Sequence, residues 1–169
     1  DLPTVSPNGY VVEVKGDDQT NFDNYFVKFV TNNGGTFEEG QWEETVQAGI
    51  PFKFDASTMP HVLIRQADGN FRFARVDGDT YTLNGTDYTL PVWGERTSGD
   101  EISAPDPSFI GRKINNVFFF RNRLGFLADD NVILSNVSDF FNFFPDTVLT
   151  IVDSHPIDVA ASHTKVAIL

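Results

Sequence analysis

Apolar residues fall along this chain in short runs separated by polar or glycine-bearing gaps, and the densest of these regions is residues 111–136, GRKINNVFFFRNRLGFLADDNVILSN. Val117–Phe120, Leu124–Ala128 and Val132–Ser135 are rich in the β-branched and aromatic side chains that fit a pleated surface. Arg121-Asn122-Arg123 and Asp129-Asp130-Asn131 separate them, and polar gaps of that length fit tight hairpin turns. The pattern predicts a three-stranded meander. Its cadence is that of part of a β-propeller blade, whose sheet usually has four strands. One blade closes no ring, so its partners are expected outside this stretch.

Earlier in the chain, Tyr10–Lys15 and Tyr25–Val30 alternate as paired strands do. Gly16-Asp17-Asp18 opens their connection, and Asn32-Asn33-Gly34-Gly35 turns the chain afterwards. Gln41–Val46, carrying Trp42, is predicted as a third strand in a meander. Pro60 favours an extended Met59, after which His61–Gln66 and Asn70–Val76 form a hairpin around Ala67-Asp68-Gly69. Asp77-Gly78-Asp79 and Asn84-Gly85-Thr86 punctuate two further short extended pieces.

Residues 1–92 therefore read as a mainly β domain, platform-like or sandwich-like. Residues 93–108 read as an irregular connector within a proline-bearing stretch, and 109–169 as a partial β-propeller blade region. Ser138–Pro145 is predicted as a helical turn, capped by Ser138 or Asp139, with Phe140 and Phe144 on one face and Pro145 as its stop. Val148–Val152 and Thr164–Leu169 are read as further strands. The fold class is mainly β: an antiparallel unit followed by part of a propeller. The missing initiator Met and the strand-like last residues lead us to expect a fragment of a larger chain.

Composition narrows the chemistry. The chain of 169 residues has no cysteine, which leaves no disulfide or thiolate metal site. No apolar run approaches the roughly 20 residues that cross a bilayer. The net charge of −12 is unevenly distributed: residues 1–108 hold 7 Lys and Arg against 18 Asp and Glu, and residues 109–169 hold 5 against 6. Ordinary phosphate-gripping DNA recognition needs clustered basic side chains, so it is disfavoured for the first part.

Candidate reactive groups are few. Of the histidines His61, His155 and His163, the last two with Asp153 and Asp158 form the one patch resembling a metal site, at a spacing that matches no standard ligand motif. Glu43 and Glu44 beside Trp42 evoke glycoside hydrolysis, but adjacent strand residues point to opposite faces and cannot flank one bond. Trp42 or Trp93 could stack on a sugar. Phosphate-binding loop, nucleophile elbow and zinc motif are all missing, so no catalytic residue, metal or cofactor is assigned. Asn84-Gly85-Thr86 and Asn136-Val137-Ser138 match the glycosylation pattern by chance. Arg121 and Arg123, around a turn between apolar strands, are candidates for structural or interface ion pairs. Glu95 and Arg96 in the connector are a second such pair.

An ordered series of motifs resembles the tail tubular protein B, or nozzle, family of short-tailed bacteriophages. Its specific part is Trp93-Gly94-Glu95-Arg96, Gly99-Asp100 and Pro107-Ser108-Phe109-Ile110-Gly111. It continues through Phe119–Leu127, Asn131–Ser135, Asp139–Phe144 and Pro156-Ile157-Asp158-Val159. Trp42-Glu43-Glu44-Thr45, Thr58-Met59-Pro60-His61 and Asp68-Gly69 extend the likeness over nearly the whole chain. The resemblance implies a structural virion protein of the tail, assembled in the host cytoplasm. It also implies a hexameric ring with a propeller in each subunit and a channel that DNA traverses without specific binding. Implied partners are an adaptor or gatekeeper ring and tail fibres or spikes. At His155 the family pattern carries an acidic residue, so a cation site at this turn is weakened. The alternative is a carbohydrate-binding or wall-degrading tail module.

Overall fold

The computed structural model describes residues 1–16 and 24–161. The strand expected at Thr164–Leu169, His163, and most of the connection opened by Gly16 lie outside the described residues. Among the described residues there are twelve strands, no helix, and only antiparallel pairing between strands. They divide between two compact units, each assembled from three separate pieces of chain.

The first unit comprises Asp1–Phe52, Arg96–Pro107 and Phe144–His155. Its sheet contains β1 (Val5–Pro7), β2 (Val11–Val14), β3 (Tyr25–Thr31) and β4 (Phe37–Thr45), in the order β1-β4-β3-β2. The pairing of β2 with β3 and of β3 with β4 follows the alternation expected from the sequence. The meander is nevertheless incomplete as a description, because β1 crosses to the far side of β4 and pairs Val5 with Glu39. β4 also begins earlier than its apolar signal, since Phe37, Glu39 and Gln41 lie on an exposed face. The opposite face buries Val27, Phe29 and Thr31, and Trp42 meets Phe29 edge to face at 5.0 Å.

The second unit comprises Lys53–Glu95, Ser108–Phe143 and Pro156–Leu169. β5 (Val62–Arg65) pairs β6 (Phe71–Ala74), and β7 (Thr80–Leu83) pairs β8 (Thr86–Thr89), as two separate hairpins. β9 (Ile114–Phe120), β10 (Arg123–Ala128) and β11 (Asn131–Leu134) form the predicted meander, and β12 (Ile157–Ala160) adds a fourth strand beside β11. The turns are tighter than the expected three-residue gaps. Arg121 and Asn122 take φ of 47° and 57°, the left-handed pair of a two-residue hairpin turn whose twist matches its strands. Gly125 is required by packing: a Cβ there would lie 2.4 Å from the Phe118 ring on the facing strand. The core gathers Met59, Val76, Trp93, Phe109, Leu124, Phe126, Ile133 and Phe143.

Two predicted elements are absent. Ser138–Pro145 forms a looped turn in which Asn142 N–H donates to the Asp139 carbonyl and Asn136 N–H to that of Asn142. Ser138 has φ of 62°, outside the extended region that an N-cap residue adopts. Phe140 and Phe144 share no face: Phe140 meets Phe119 at 5.5 Å and remains 38% exposed, whereas Phe144 is buried in the first unit. Phe141 and Phe143 instead contact Trp93 from alternate positions, so a period of two replaces the expected helical period. Val148–Val152 forms bends, with Ile151 95% exposed. The Val148 N–H donates to the Glu44 carboxylate at 2.7 Å rather than to a strand ladder.

Candidate assembly site

The four site residues proposed from sequence fall into different environments. Arg96 is 2% exposed because its segment places every guanidinium nitrogen against an acceptor. Nε donates to the Ala104 carbonyl at 2.7 Å, Nη1 to the Pro51 carbonyl, and Nη2 to Asp106 at 2.8 Å. Phe144 lies beneath it at 4.9 Å, adding a cation–π contact. All three chain pieces of the first unit therefore meet at this side chain. Its sequence neighbour Glu95 pairs with Lys53 at 2.7 Å in an exposed salt bridge, so the two are not partners.

Asp100 continues the polar framework. Its Oδ1 accepts from the Ile102 N–H at 2.9 Å, the Ser103 N–H at 2.8 Å and the Ser103 hydroxyl at 2.9 Å. Burial raises the carboxyl's pKa, but these donors and the positive charge of Arg96 together hold it below its ordinary value. Gly99, at φ 68°, brings this turn into place. A Cβ there would meet Ser103 Oγ at 2.4 Å and a Val148 methyl at 2.7 Å. Glu44 ties down the third piece of the unit by accepting from the Thr147 hydroxyl and the Val148 N–H.

In the second unit, Arg123 is 5% exposed and donates to the Ser135 carbonyl at 2.6 Å. Arg121 lies in the solvent-exposed turn, with its guanidinium 5.3 Å from the Phe120 ring centre. The two arginines flanking Asn122 thus differ in kind, one anchoring the sheet and one facing outward.

The core face of the β9–β12 sheet stays open at its β9 margin. Val117 and Phe119 lie opposite buried Phe126 and Leu124, yet are 54% and 69% exposed. Together with Pro60, Trp93, Phe140 and Phe141 they line an apolar groove of about 220 Å³. Among the strands described, β9 pairs only with β10, leaving its outer backbone edge unpaired. Long apolar edges of this sort are templates for association. The sequence places Val117 and Phe119 on a meander strand, but alternation alone does not distinguish a margin from a centre.

The other candidate residues that the structure describes sit in structural contacts. Trp93 is 5% exposed in the aromatic core and offers no stacking platform. Trp42 donates Nε1–H to the Pro3 carbonyl at 2.9 Å. Asp158 accepts from the Ser108 N–H at 2.6 Å and from Asn131 Nδ2 at 2.9 Å, and His155 is 8% exposed. Among the described residues no group of three or more His, Asp or Glu is placed to hold a metal ion. No described helix is long and apolar enough to cross a membrane. Asn136, in the second glycosylation-like triplet, is 4% exposed.

An all-β scaffold with a buried polar framework and an open apolar sheet margin is the setting in which the likeness to known proteins falls. The chain belongs to the bacteriophage nozzle protein family, whose pattern matches residues 1–169. It is 40% identical over 168 residues to tail tubular protein gp12 of Escherichia phage T7. That alignment covers 99% of this chain and 18% of the relative, so the chain spans under one fifth of the relative's length.

Proposed function

We propose that this chain is part of a structural tail protein whose copies form a ring, with the hexamer of the resemblance as its stoichiometry, and that the ring conducts the genome during ejection. Membership of the nozzle family carries this reading. The β9–β12 sheet supports it as one blade of a β-propeller: four antiparallel strands in sequential order, with an aromatic margin available to a neighbouring sheet. Arg121, exposed beside that sheet, is then an interface residue. The adaptor ring and the tail fibres or spikes are its partners in the virion, and assembly takes place in the host cytoplasm.

The mechanism is passive. DNA carries one negative charge per about 1.7 Å of axis, so carboxylates facing a channel repel it and discourage adhesion. The excess of 18 acidic over 7 basic residues in positions 1–108 supplies such charge. No bond is made or broken, and no residue is assigned a catalytic role. Electron microscopy of the full-length protein, alone and mixed with its adaptor, tests the reading: rings with an open axial channel are expected. A protein that stays monomeric under both conditions would overturn it, and a neutral or basic lumen beside this segment would overturn its electrostatic part. Release of sugar or peptide fragments from purified cell wall would favour a wall-degrading module instead.

A further inference from the structure

The β5–β6 hairpin presents an outer face that its own unit does not cover. Leu63 stands opposite Phe73, and Arg65 opposite Phe71; the three apolar side chains are 65%, 71% and 63% exposed respectively. His61 stacks on Phe73 with ring centres 5.0 Å apart, stiffening that aromatic. The inner face is different, with Ala74 only 9% exposed and Val62 packed against the core. Contiguous exposed apolar side chains of this kind mark interaction surfaces.

Charge gives the cover a sign. Between positions 65 and 75 lie Arg65, Arg72 and Arg75 against the single acid Asp68, which is three of the seven basic residues in 1–108. Arg72 lies over the Tyr81 ring and Arg75 faces Asp55. Arg65 makes no ion pair among the described residues. Arg72 alternates onto the inner face with Ala74, so the outer face is aromatic and carries Arg65 as its strand cation, in an otherwise acidic stretch. Its complement exists on the same chain, on the outer face of the β1–β4 sheet. There Glu39 pairs with half-exposed Val5 and is followed on the same face by Gln41 and Glu43. Phe37, at the start of that row, is 64% exposed. Lys28, opposite Glu43, is the one cation among them.

We infer that the outer face of the β5–β6 hairpin of one copy docks on the Phe37–Glu43 face of the β1–β4 sheet of a second copy. Leu63, Phe71 and Phe73 cover Val5 and Phe37, and Arg65 meets Glu39. Two different patches in contact make the association heterologous, the kind of contact that builds a ring when its rotation closes and a filament when it does not. The inference rests on the ring reading above and assigns it surfaces. Single-stranded nucleic acid and anionic membrane are the competing occupants of a basic aromatic face.

The test uses the full-length protein, with assembly followed by light scattering on a sizing column. Arg65→Glu and Glu39→Arg are each expected to weaken association at least about 10-fold, because each places like charges face to face. The combined Arg65→Glu, Glu39→Arg protein is expected to recover to within about 3-fold of the unmodified one. Phe73→Ser is expected to weaken association in the same range while leaving the far-ultraviolet circular dichroism unchanged. Unmodified protein that never associates removes both this inference and the ring reading. Rings that form equally well with either charge reversal overturn the inference and leave the ring reading standing. Loss in both single variants without recovery in the double overturns the pairing. Assembly unaffected by Arg65→Glu, with binding to an oligothymidylate or to phosphatidylglycerol vesicles abolished, hands the surface to that ligand instead.

Discussion

The β1–β4 sheet and the β9–β12 sheet are both four-stranded and antiparallel, but opposite chemistry surrounds them. The β9–β12 sheet lies on an aromatic cluster in which Trp93, Phe109, Phe126 and Phe143 sit with ring centres 4.9–6.5 Å apart. The β1–β4 unit is drawn together by buried or half-buried polar groups: Arg96, Asp100, Glu44 and the carbonyls and amides they engage. An aromatic cluster is held by area and shape, and tolerates local change by repacking. A polar framework is held by satisfied hydrogen bonds, and loses more when one partner is removed than any single bond contributes.

That contrast breaks most visibly at its two centres. Phe126→Ala is expected to lower stability by about 3–5 kcal/mol through lost burial and a residual cavity. Arg96→Ala is expected to cost about 3 kcal/mol, since it strands the carbonyls of Pro51 and Ala104 and leaves Phe144 uncovered. The distinction lies in rescue. Phe126→Leu retains much of the apolar area and should recover more than half of the loss in urea denaturation. Arg96→Lys, with a compact ammonium in place of a planar fork, should recover less than half. Equal recovery by both replacements would erase the difference between the two units.

A smaller effect sharpens the geometry of the polar framework. Gly99→Ala meets both a left-handed φ and a Cβ position already occupied by Ser103 and Val148. Strain and overpacking together are expected to cost about 2–3 kcal/mol. The double variant Gly99→Ala, Ser103→Ala removes the hydroxyl in the way and relieves part of the clash, but it also deletes a donor to Asp100. Denaturation midpoints of the two proteins are therefore expected to lie close together. A clear gain in the double variant would mean that the hydroxyl clash outweighs the hydrogen bond.

Acid distinguishes the units more gently. Asp100 has a folded pKa below its ordinary 3.8. A depressed carboxyl contributes stability that is fully present above the unfolded value and is lost as pH falls through the folded one. Thermal melting should accordingly fall more steeply below pH 3.8 in the unmodified protein than in Asp100→Asn, with the two curves converging in acid. Parallel curves would show that Asp100 adds no pH dependence of its own.

Much of the β architecture was readable because strands and turns leave short-range marks. The meander of residues 114–134 and the hairpin around Gly69 appear where alternation and turn residues place them, and the short extended pieces punctuated by Asn84-Gly85 pair as a further hairpin. What escaped depends on distant partners. β1 has little apolar signal of its own and exists because β4 offers it an edge. The spacing of Phe140 and Phe144 fits a helix, but Trp93 attracts Phe141 and Phe143 while Arg96 covers Phe144. Val148 is held by a carboxylate more than one hundred positions away in the chain. The burial of Arg96 was hidden for the same reason, since its acceptors at Pro51, Ala104 and Asp106 are irregular segments without periodic marks. The propeller and the ring proposed above rest on the family resemblance, and nothing in the composition or spacing of residues 1–169 specifies their closure.

The smallest expected effect tests the outward-facing side of the comparison. Arg121 and Arg123 flank one residue, yet Arg123 is 5% exposed against the Ser135 carbonyl and Arg121 projects from the turn over Phe120. Arg121→Ala should change the stability of the purified protein by no more than about 0.5 kcal/mol, as exposed substitutions away from caps and cores do. Its left-handed φ of 47° is tolerated in the parent, so Arg121→Asn serves as a control that suits this turn. If Arg121 belongs to an interface, both variants fold normally and assemble less well, and the deficit shrinks as salt rises and screens the lost attraction. Assembly that matches the unmodified protein at low salt would instead make Arg121 a solubilising turn residue, leaving the apolar margin of Val117 and Phe119 to hold that side of the sheet alone.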